Sequence, residues 1–341
     1  MTESATSHGS REPLFEAYLN RHDDSSWSEI VRTLLPSIHE IDRTATEIWF
    51  YFFPLSLLRA LEQADDADQL ARTLCLSGSY LLKDQIDSSH AFLYGHQFWP
   101  QVKAAVSELA GSTNAPASLD LAAQIRGVAE TVANRLNVDP ALLTGITAVA
   151  FMTLQQVGAQ VFSSAPGAVR KVTSKSPAQI LKDRAADDKQ PFLTSLFNPD
   201  KIFSIIFDEH DPAAKFRLIN TQHLTTAAAN DKRDHRSRDP RCISGEGPIP
   251  VECRSAACGT CWVGVLAGSE KLSDVGALEW RKIREFGYID TEEPRPLIRL
   301  ACQAEAYGNV TIVIPPWNGT FGKYVREQQL ANKERQESAP I

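Results

Sequence analysis

The chain has 341 residues, of which 43% are hydrophobic, and this length allows about two domains with ordinary cores. Its formal net charge of −7 is uneven, because residues 1–169 hold 10 Lys and Arg against 19 Asp and Glu, whereas residues 200–323 hold 16 against 17. This acidic to neutral balance argues against nucleic-acid binding. Six cysteines in a chain of this length argue against a disulfide-dense secreted domain. The polar start of the chain, without an apolar targeting segment, predicts a cytoplasmic protein.

The first half of the chain has the pattern of an all-α bundle. Residues 1–25 are expected to be a flexible N-terminus, and residues 26–169 form the predicted helical domain. Apolar residues recur at helix-face intervals after Ser26, a residue type that caps helix N-termini: Ile30, Val31, Leu34, Leu35, Ile38 and Ile41. Breaks at residues 65–68, 111–116 and 139–140 indicate about six helices.

Two stretches of this half are apolar enough to be weighed as membrane segments. Residues 48–58 are too short to cross a bilayer. They include the aromatic run 48–53, whose side chains either belong to the core or anchor a partner protein. Residues 142–162 are long enough, but three glutamines would lie unpaired in hydrocarbon. We therefore predict that residues 142–162 form the central helix of a bundle and that the chain has no membrane span.

Residues 87–100 are the other place in this half where chemistry could concentrate. Asp87 and His90 share a helix face, whereas His96 is expected on a different face beyond Gly95. A di-iron bundle needs two Glu-x-x-His pairs and two further glutamates, and only one Asp-x-x-His is present. We interpret these residues as structural histidines at an aromatic packing corner, with a metal or catalytic site as the alternative.

Residues 170–199 change in composition and are predicted to be a linker. The motif Ser-Pro-Ala-Gln at residues 176–179 has the pattern of a capping box, which predicts one short helix. Strands are predicted in the second half, residues 200–323, at residues 202–207, 215–218, 262–266, 297–300 and 310–314. Short helices are expected at residues 221–230 and 273–286, and residues 324–341 are expected to be a polar tail.

Four cysteines mark the second half. Cys253, Cys258 and Cys261 have the spacing C-x4-C-x2-C, and Cys302 follows about forty residues later. This is the ligand pattern of a plant-type [2Fe-2S] cluster, in which each of two irons takes two thiolates. Small residues between the ligands let one tight loop wrap three sulfurs, and Gly259 can adopt the positive φ that such a loop often needs.

The residues around these cysteines resemble those of the [2Fe-2S] ferredoxins. Cys-Arg at the first ligand and Cys-Gly-Thr-Cys at the second and third match the plant-type loop, and residues 299–303 resemble the adrenodoxin-type segment around the fourth. The resemblance covers residues 200–323 and implies a β-grasp fold. The whole chain is thus expected to be α+β, with a helical bundle before a β-grasp domain. It departs from the plant pattern at Ala256, where glycine is usual, and in a longer gap before Cys302, which we interpret as an inserted helix.

A zinc ion held by four thiolates is the alternative for these cysteines, although zinc ligands usually come as two close C-x2-C pairs. Cys75 and Cys242 are interpreted as bystanders, the first as a buried thiol in an apolar helical stretch. Arg254, Gly259 and Thr260 are candidates for tuning the cluster through charge, loop geometry and a hydrogen bond to sulfur. A solvated arginine and a loop-capping threonine are the alternative interpretations.

A cluster with four thiolate ligands has no open coordination position, which favours one-electron transfer over substrate chemistry. We therefore expect an electron carrier whose helical domain docks a redox partner protein, a reductase or an oxidase, and whose two halves fold separately. All-cysteine ligation predicts a reduction potential on the order of −400 mV.

Two other function classes remain open. One is an enzyme whose helical domain binds a substrate or a second cofactor, and the other is a redox sensor or assembly module. The glycines at 245 and 247 lack the third glycine of a dinucleotide-binding motif, and no catalytic residue can be named.

Overall fold

The computed structural model of the protein describes residues 14–112, 120–169, 174–185, 201–286 and 293–337. The first half is helical, as predicted, but it is divided into more and shorter helices than the breaks in the sequence indicate. The expected flexible N-terminus is wrong for residues 14–25, because a helix begins at Leu14 and buries Phe15 and Leu19 in the core. It contains α1 (Leu14–Leu19), α2 (Asp24–Leu34), α3 (Glu40–Phe52), α4 (Leu55–Gln63), α5 (Ala67–Thr73), the short strand β1 (Ser77–Gly78), α6 (Trp99–Gly111), α7 (Leu121–Leu136), α8 (Ala141–Val157), α9 (Ala159–Ser164) and α10 (Pro177–Arg184).

Helix α2 differs from its prediction at both ends. Its N-cap is Asp23 and not Ser26, because the Asp23 carboxylate accepts the backbone N–H of Ser26 at 2.8 Å. The helix ends at Leu34, and the chain continues as a short 3-10 turn that contains Pro36. Proline has no amide hydrogen and cannot continue an α-helix from within.

Helix α8 is the central helix of the bundle, but it ends at Val157 and not at residue 162, because Gly158 has a φ of 80° and a separate helix follows. Every side chain from Leu143 to Gln155 is buried. Its glutamines are satisfied inside the protein. Gln155 accepts the indole N–H of Trp27 at 2.6 Å and donates to the His22 carbonyl at 2.9 Å, and Gln156 donates to the Phe53 carbonyl at 2.8 Å. Within the described residues, none of the helices combines the length and the apolar character that crossing a membrane requires.

The aromatic run 48–53 belongs to the core. Ile48, Trp49, Phe52 and Phe53 are at most 2% exposed. The hypothesis that exposed members of this run anchor a partner protein therefore does not apply to these four residues. Phe50 and Tyr51 are half-buried, and for them it stays a prediction.

The second half is built on five strands, β2 (Ile202–Ile206), β3 (Lys215–Ile219), β5 (Trp262–Ala267), β6 (Ile298–Leu300) and β8 (Val310–Val313). They form one mixed sheet in the order β3-β2-β8-β5-β6, in which β2 and β8 are parallel and the other neighbours are antiparallel. The remaining elements are β4 (Gln222–His223), α11 (Leu224–Ala228), α12 (Ala277–Phe286), β7 (Glu305–Ala306) and β9 (Trp317–Asn318). The strands lie close to the residues where they were predicted, and the α+β class is confirmed.

The inserted helix and the end of the chain pack together. Helix α12 confirms the helix expected between the third and fourth cysteines. The predicted polar tail begins inside a further helix, α13 (Phe321–Glu337), whose first residue is fully buried. The Arg326 side chain in α13 donates a hydrogen bond to the Arg284 carbonyl in α12.

The predicted linker contains the expected short helix. The Ser176 hydroxyl caps α10 by accepting the backbone N–H of Gln179 at 3.3 Å. Residues 170–173 and 186–199 of that linker, and residues 1–13, lie outside the described residues.

The two halves of the chain share one hydrophobic core. Strand β1 of the helical half pairs with β9 of the second half, and next to this pair the Thr320 amide donates to the Leu74 carbonyl at 2.7 Å. Arg184, the last residue of α10, contacts two other parts of the chain. It forms an ion pair with Glu209, in the loop after β2, and both side chains are 10% exposed. It also donates a hydrogen bond to the Ile41 carbonyl in α3. These contacts argue against the expectation that the halves fold separately.

Candidate functional site: the four-cysteine loop

The loop that carries three of the four cysteines has an irregular backbone. Arg254, Ala256 and Gly259 have positive φ angles of 53°, 59° and 73°. This left-handed region is uncommon for residues other than glycine and costs an alanine roughly 1–2 kcal/mol. The backbone at Ala256 thus explains why glycine is usual at this position in the plant-type loop.

Gly259 is required by its neighbour as well as by its φ angle. A Cβ atom at this position would lie 2.4 Å from the Phe286 ring at the end of α12. The inserted helix therefore packs directly against the cysteine loop. The sequence predicts the positive φ of Gly259, but the contact with Phe286 depends on a residue 27 positions further along the chain and could not be foreseen.

The loop and the segment before β7 bring the four predicted cysteines together in two pairs. The Cys253 side chain interacts with Cys258, and the Cys261 side chain interacts with Cys302. Cys261 and Cys302 are 2% and 3% exposed, whereas Cys253 and Cys258 are partly exposed. We call these the inner pair and the outer pair. Two irons that each need two thiolates fit such an arrangement.

The site favours the thiolate form of one cysteine in each pair, Cys302 in the inner pair and Cys253 in the outer pair. The hydrogen bond from Cys261 lowers the pKa of Cys302 to about 6, and the same bond, with burial, raises the pKa of Cys261 well above its usual value. At Cys253, burial opposes ionisation, but hydrogen bonds from Ser255 and Cys258 lower the pKa to about 7. Among the described residues, no group of three or more His, Cys, Asp or Glu side chains is arranged to hold one metal ion.

Hydrogen-bond donors of the loop point at the sulfurs. The amides of Ser255 and Ala257 lie 3.5 and 3.3 Å from Cys253 Sγ. The Thr260 hydroxyl lies 3.1 Å from Cys258 Sγ, and it also accepts the amide of Glu252 at 3.2 Å. Donors of this kind stabilise negative charge on sulfur, so the donor set fits a cluster of negatively charged sulfur ligands.

The three residues proposed to tune the cluster are placed differently. Thr260 lies against the sulfur of Cys258, as predicted, and Gly259 shapes the loop. Arg254 is turned to Glu246, with which it forms an ion pair, and to the Thr225 carbonyl at 3.4 Å. The Glu246 carboxylate therefore partly neutralises the positive charge of Arg254, which weakens the tuning role expected for Arg254.

The other two cysteines lie elsewhere. Cys242 is 4% exposed, its thiol donates to the Pro248 carbonyl at 3.3 Å, and burial raises its pKa to about 11. Cys75 is exposed and has a φ of 51°, so its interpretation as a buried helical thiol is wrong. The reason is that α5 ends at Thr73 and Cys75 lies in the turn that leads to β1.

A buried ion pair beside the fourth cysteine was missed by sequence reasoning. Arg299 in β6 and Glu279 in α12 are 1% and 2% exposed and form two hydrogen bonds of 2.9 Å. Glu279 also accepts the amide of Leu300 at 2.8 Å. The available signal was the charged Arg299 inside an otherwise apolar strand, because a buried charge needs a partner.

The histidines of the helical half come together, contrary to the prediction. His90 Nδ1 and His96 Nδ1 are 2.9 Å apart, and both residues are buried. Residues 86–93 form turns followed by a 3-10 helix (Tyr94–Phe98), so helix-face spacing does not apply to them. Burial lowers the pKa of His90 well below its usual value, and Asp87 accepts the indole N–H of Trp99 at 2.8 Å. These contacts agree with structural histidines at an aromatic corner.

Comparison with known proteins agrees with this site. Residues 242–307 match the family model of the 2Fe-2S iron-sulfur cluster binding domain. The matched stretch contains all four cysteines and the inserted helix α12. A search of the solved structures finds no match. The C-terminal part of this chain therefore contains a ferredoxin-type domain that binds a [2Fe-2S] cluster.

Proposed function

We propose that this protein is a one-electron carrier in which Cys253, Cys258, Cys261 and Cys302 hold the [2Fe-2S] cluster. The observation that carries the proposal is the arrangement of four thiols in two pairs, with donors aimed at the sulfurs. When bound, the cluster supplies a single reversible electron. The residues around it hold the sulfurs in place and stabilise their charge.

The outer pair is the proposed point of electron exchange. Cys253 and Cys258 are partly exposed, and Ser255 and Ala257 between them are exposed. The inner pair, Cys261 and Cys302, is buried. A partner protein thus comes closest to the four cysteines when it approaches the outer pair.

The helical half is proposed to take part in binding the redox partner. Four side chains of its aromatic run are buried and are not available, so binding would depend mainly on its exposed charged side chains. Residues 1–169 hold 19 acidic against 10 basic residues, which favours a partner with a basic surface.

A reductive titration tests the proposal. The purified protein should take up one electron per chain, give a rhombic EPR signal only after reduction, and pass the electron to a soluble acceptor. Serine replacements at the four ligand positions should remove or perturb the signal, and Cys242→Ser and Cys75→Ser should leave it unchanged. Loss of the cluster in Cys242→Ser together with an intact cluster in Cys253→Ser would refute the ligand assignment.

A further inference from the structure

The residue that follows a proposed ligand is packed against the helical half. Trp262 comes directly after Cys261 and is 3% exposed. Its ring meets the Phe52 ring at the end of α3 with centroids 5.4 Å apart, and it meets the Trp317 ring at 5.2 Å. A side chain of the helical half therefore lies one residue away from the inner pair.

Two indole hydrogen bonds extend this contact. Trp262 Nε1 donates to the Trp317 carbonyl at 2.8 Å, and Trp317 Nε1 donates to the Phe52 carbonyl at 2.6 Å. The last carbonyls of a helix have no partner within the helix. The indole of Trp317 thus satisfies the end of α3, and all three residues are buried, so water is not available to replace these bonds.

The face of β5 next to α3 has no side chain at the point of closest approach. A Cβ atom on Gly264 would lie 2.6 Å from Ile48 Cγ2 and 3.3 Å from the Phe52 ring. Gly264 is therefore needed to let α3 lie directly on β5. The close approach also excludes water from this face of the strand that begins beside Cys261.

We propose that α3 is a positioning element of the cluster site, which fixes β5 and keeps water away from the inner pair. The proposal rests on the assignment of the four cysteines as ligands. Reduction adds negative charge, and burial disfavours added charge, so this dry contact lowers the reduction potential. Loosening the contact is expected to raise the potential.

The test compares two buried indoles in the full-length, cluster-loaded protein. Trp317→Phe keeps an aromatic ring and removes the donor to Phe52. We expect a higher midpoint potential, an altered EPR signal and cluster loss that is about tenfold faster. The reason is that the Phe52 carbonyl is left buried without a donor, and this costs about as much free energy as a tenfold change in an equilibrium constant.

The matched control is Trp27→Phe. This indole is 1% exposed and also donates a 2.6 Å hydrogen bond, to Gln155, but it packs on Phe50 and not on β5. It should lower the thermal midpoint to a similar extent without moving the potential or the EPR signal. Equal changes in the potential of both variants would overturn the proposal.

A second pair of variants tests the contact independently. Gly264→Ala should raise the potential because its methyl group pushes α3 away. Adding Ile48→Ala, which removes the atoms at 2.6 and 3.1 Å, should restore the potential toward the wild-type value. Gly127→Ala is the control, because a Cβ atom at this position would meet no atom within 4 Å. It should leave the reduction potential unchanged.

The two levels of the proposal fail in different ways. A loaded wild-type protein with unchanged potential and EPR signal in both Trp317→Phe and Gly264→Ala would refute the role of α3 alone. A wild-type protein that never binds iron and sulfide would refute the electron-carrier function and the role of α3 together.

Discussion

Glu279→Gln tests the buried ion pair beside the fourth cysteine. The substitution keeps the shape of the side chain but leaves the Arg299 guanidinium without its counter-charge. The side chains of Arg299 and Glu279 are 1% and 2% exposed. Removing one partner of a buried ion pair costs roughly 3–5 kcal/mol. The two halves share one core, and at about 2.1 cal/mol/K per residue a unit of 341 residues shifts by about 1.4 °C per kcal/mol, so the thermal midpoint should fall by about 4–7 °C.

The assay is thermal unfolding followed by circular dichroism and by cluster absorbance in the same scan. Both signals should be lost at the lower temperature, because Glu279 also holds the Leu300 amide two residues before Cys302. Glu29→Gln is the matched control, since its pair with Arg32 is 61% and 73% exposed and is worth about 0–1 kcal/mol.

A double replacement separates the buried charge from the lost contact. Glu279→Leu combined with Arg299→Met removes both charges, and apolar replacement of both partners is often neutral or stabilising. We expect this variant to recover much of the midpoint. If Glu279→Gln melts at the wild-type temperature, or if the double variant is the least stable of the set, the reasoning from an uncompensated charge is refuted.

Three further predictions concern pH, the loop and the potential. Burial raises the pKa of Asp42 from 3.8 to about 6, so the folded state holds this proton more tightly than the unfolded chain. The free energy of unfolding should thus fall as pH rises from about 4 to about 6, by about 3 kcal/mol, and urea titrations should show a flatter profile for Asp42→Asn. Ala256→Gly should slow cluster loss and stabilise the loop by roughly 1 kcal/mol because it relieves a positive φ, whereas Gly259→Ala should prevent cluster assembly because its methyl group meets the Phe286 ring. Voltammetry should give a midpoint on the order of −400 mV, and a midpoint above zero would contradict all-cysteine ligation.

The sequence was sufficient for the features that depend on local pattern. The cysteine spacing identified four residues that the fold brings together, and short apolar or alternating runs placed the strands of the sheet. The capping pattern at residues 176–179 identified α10. In each case, neighbouring residues along the chain carry the whole signal.

The features that sequence reasoning missed depend on contacts between distant segments. Trp317 and Phe52 are 265 residues apart, and nothing local to either indicates that one donates to the carbonyl of the other. Ile48 and Phe52 of the aromatic run pack at the same interface, which is also why the two halves do not have separate cores. His90 and His96 were assigned to different faces because a helix was assumed where the chain forms turns.

Quantification of iron, acid-labile sulfide and zinc in protein purified without air tests the central claim most directly. Four thiols in two pairs predict two irons and two sulfides per chain, and no stoichiometric zinc. Stoichiometric zinc without sulfide would contradict the claim and would make the cysteine loop a structural metal site.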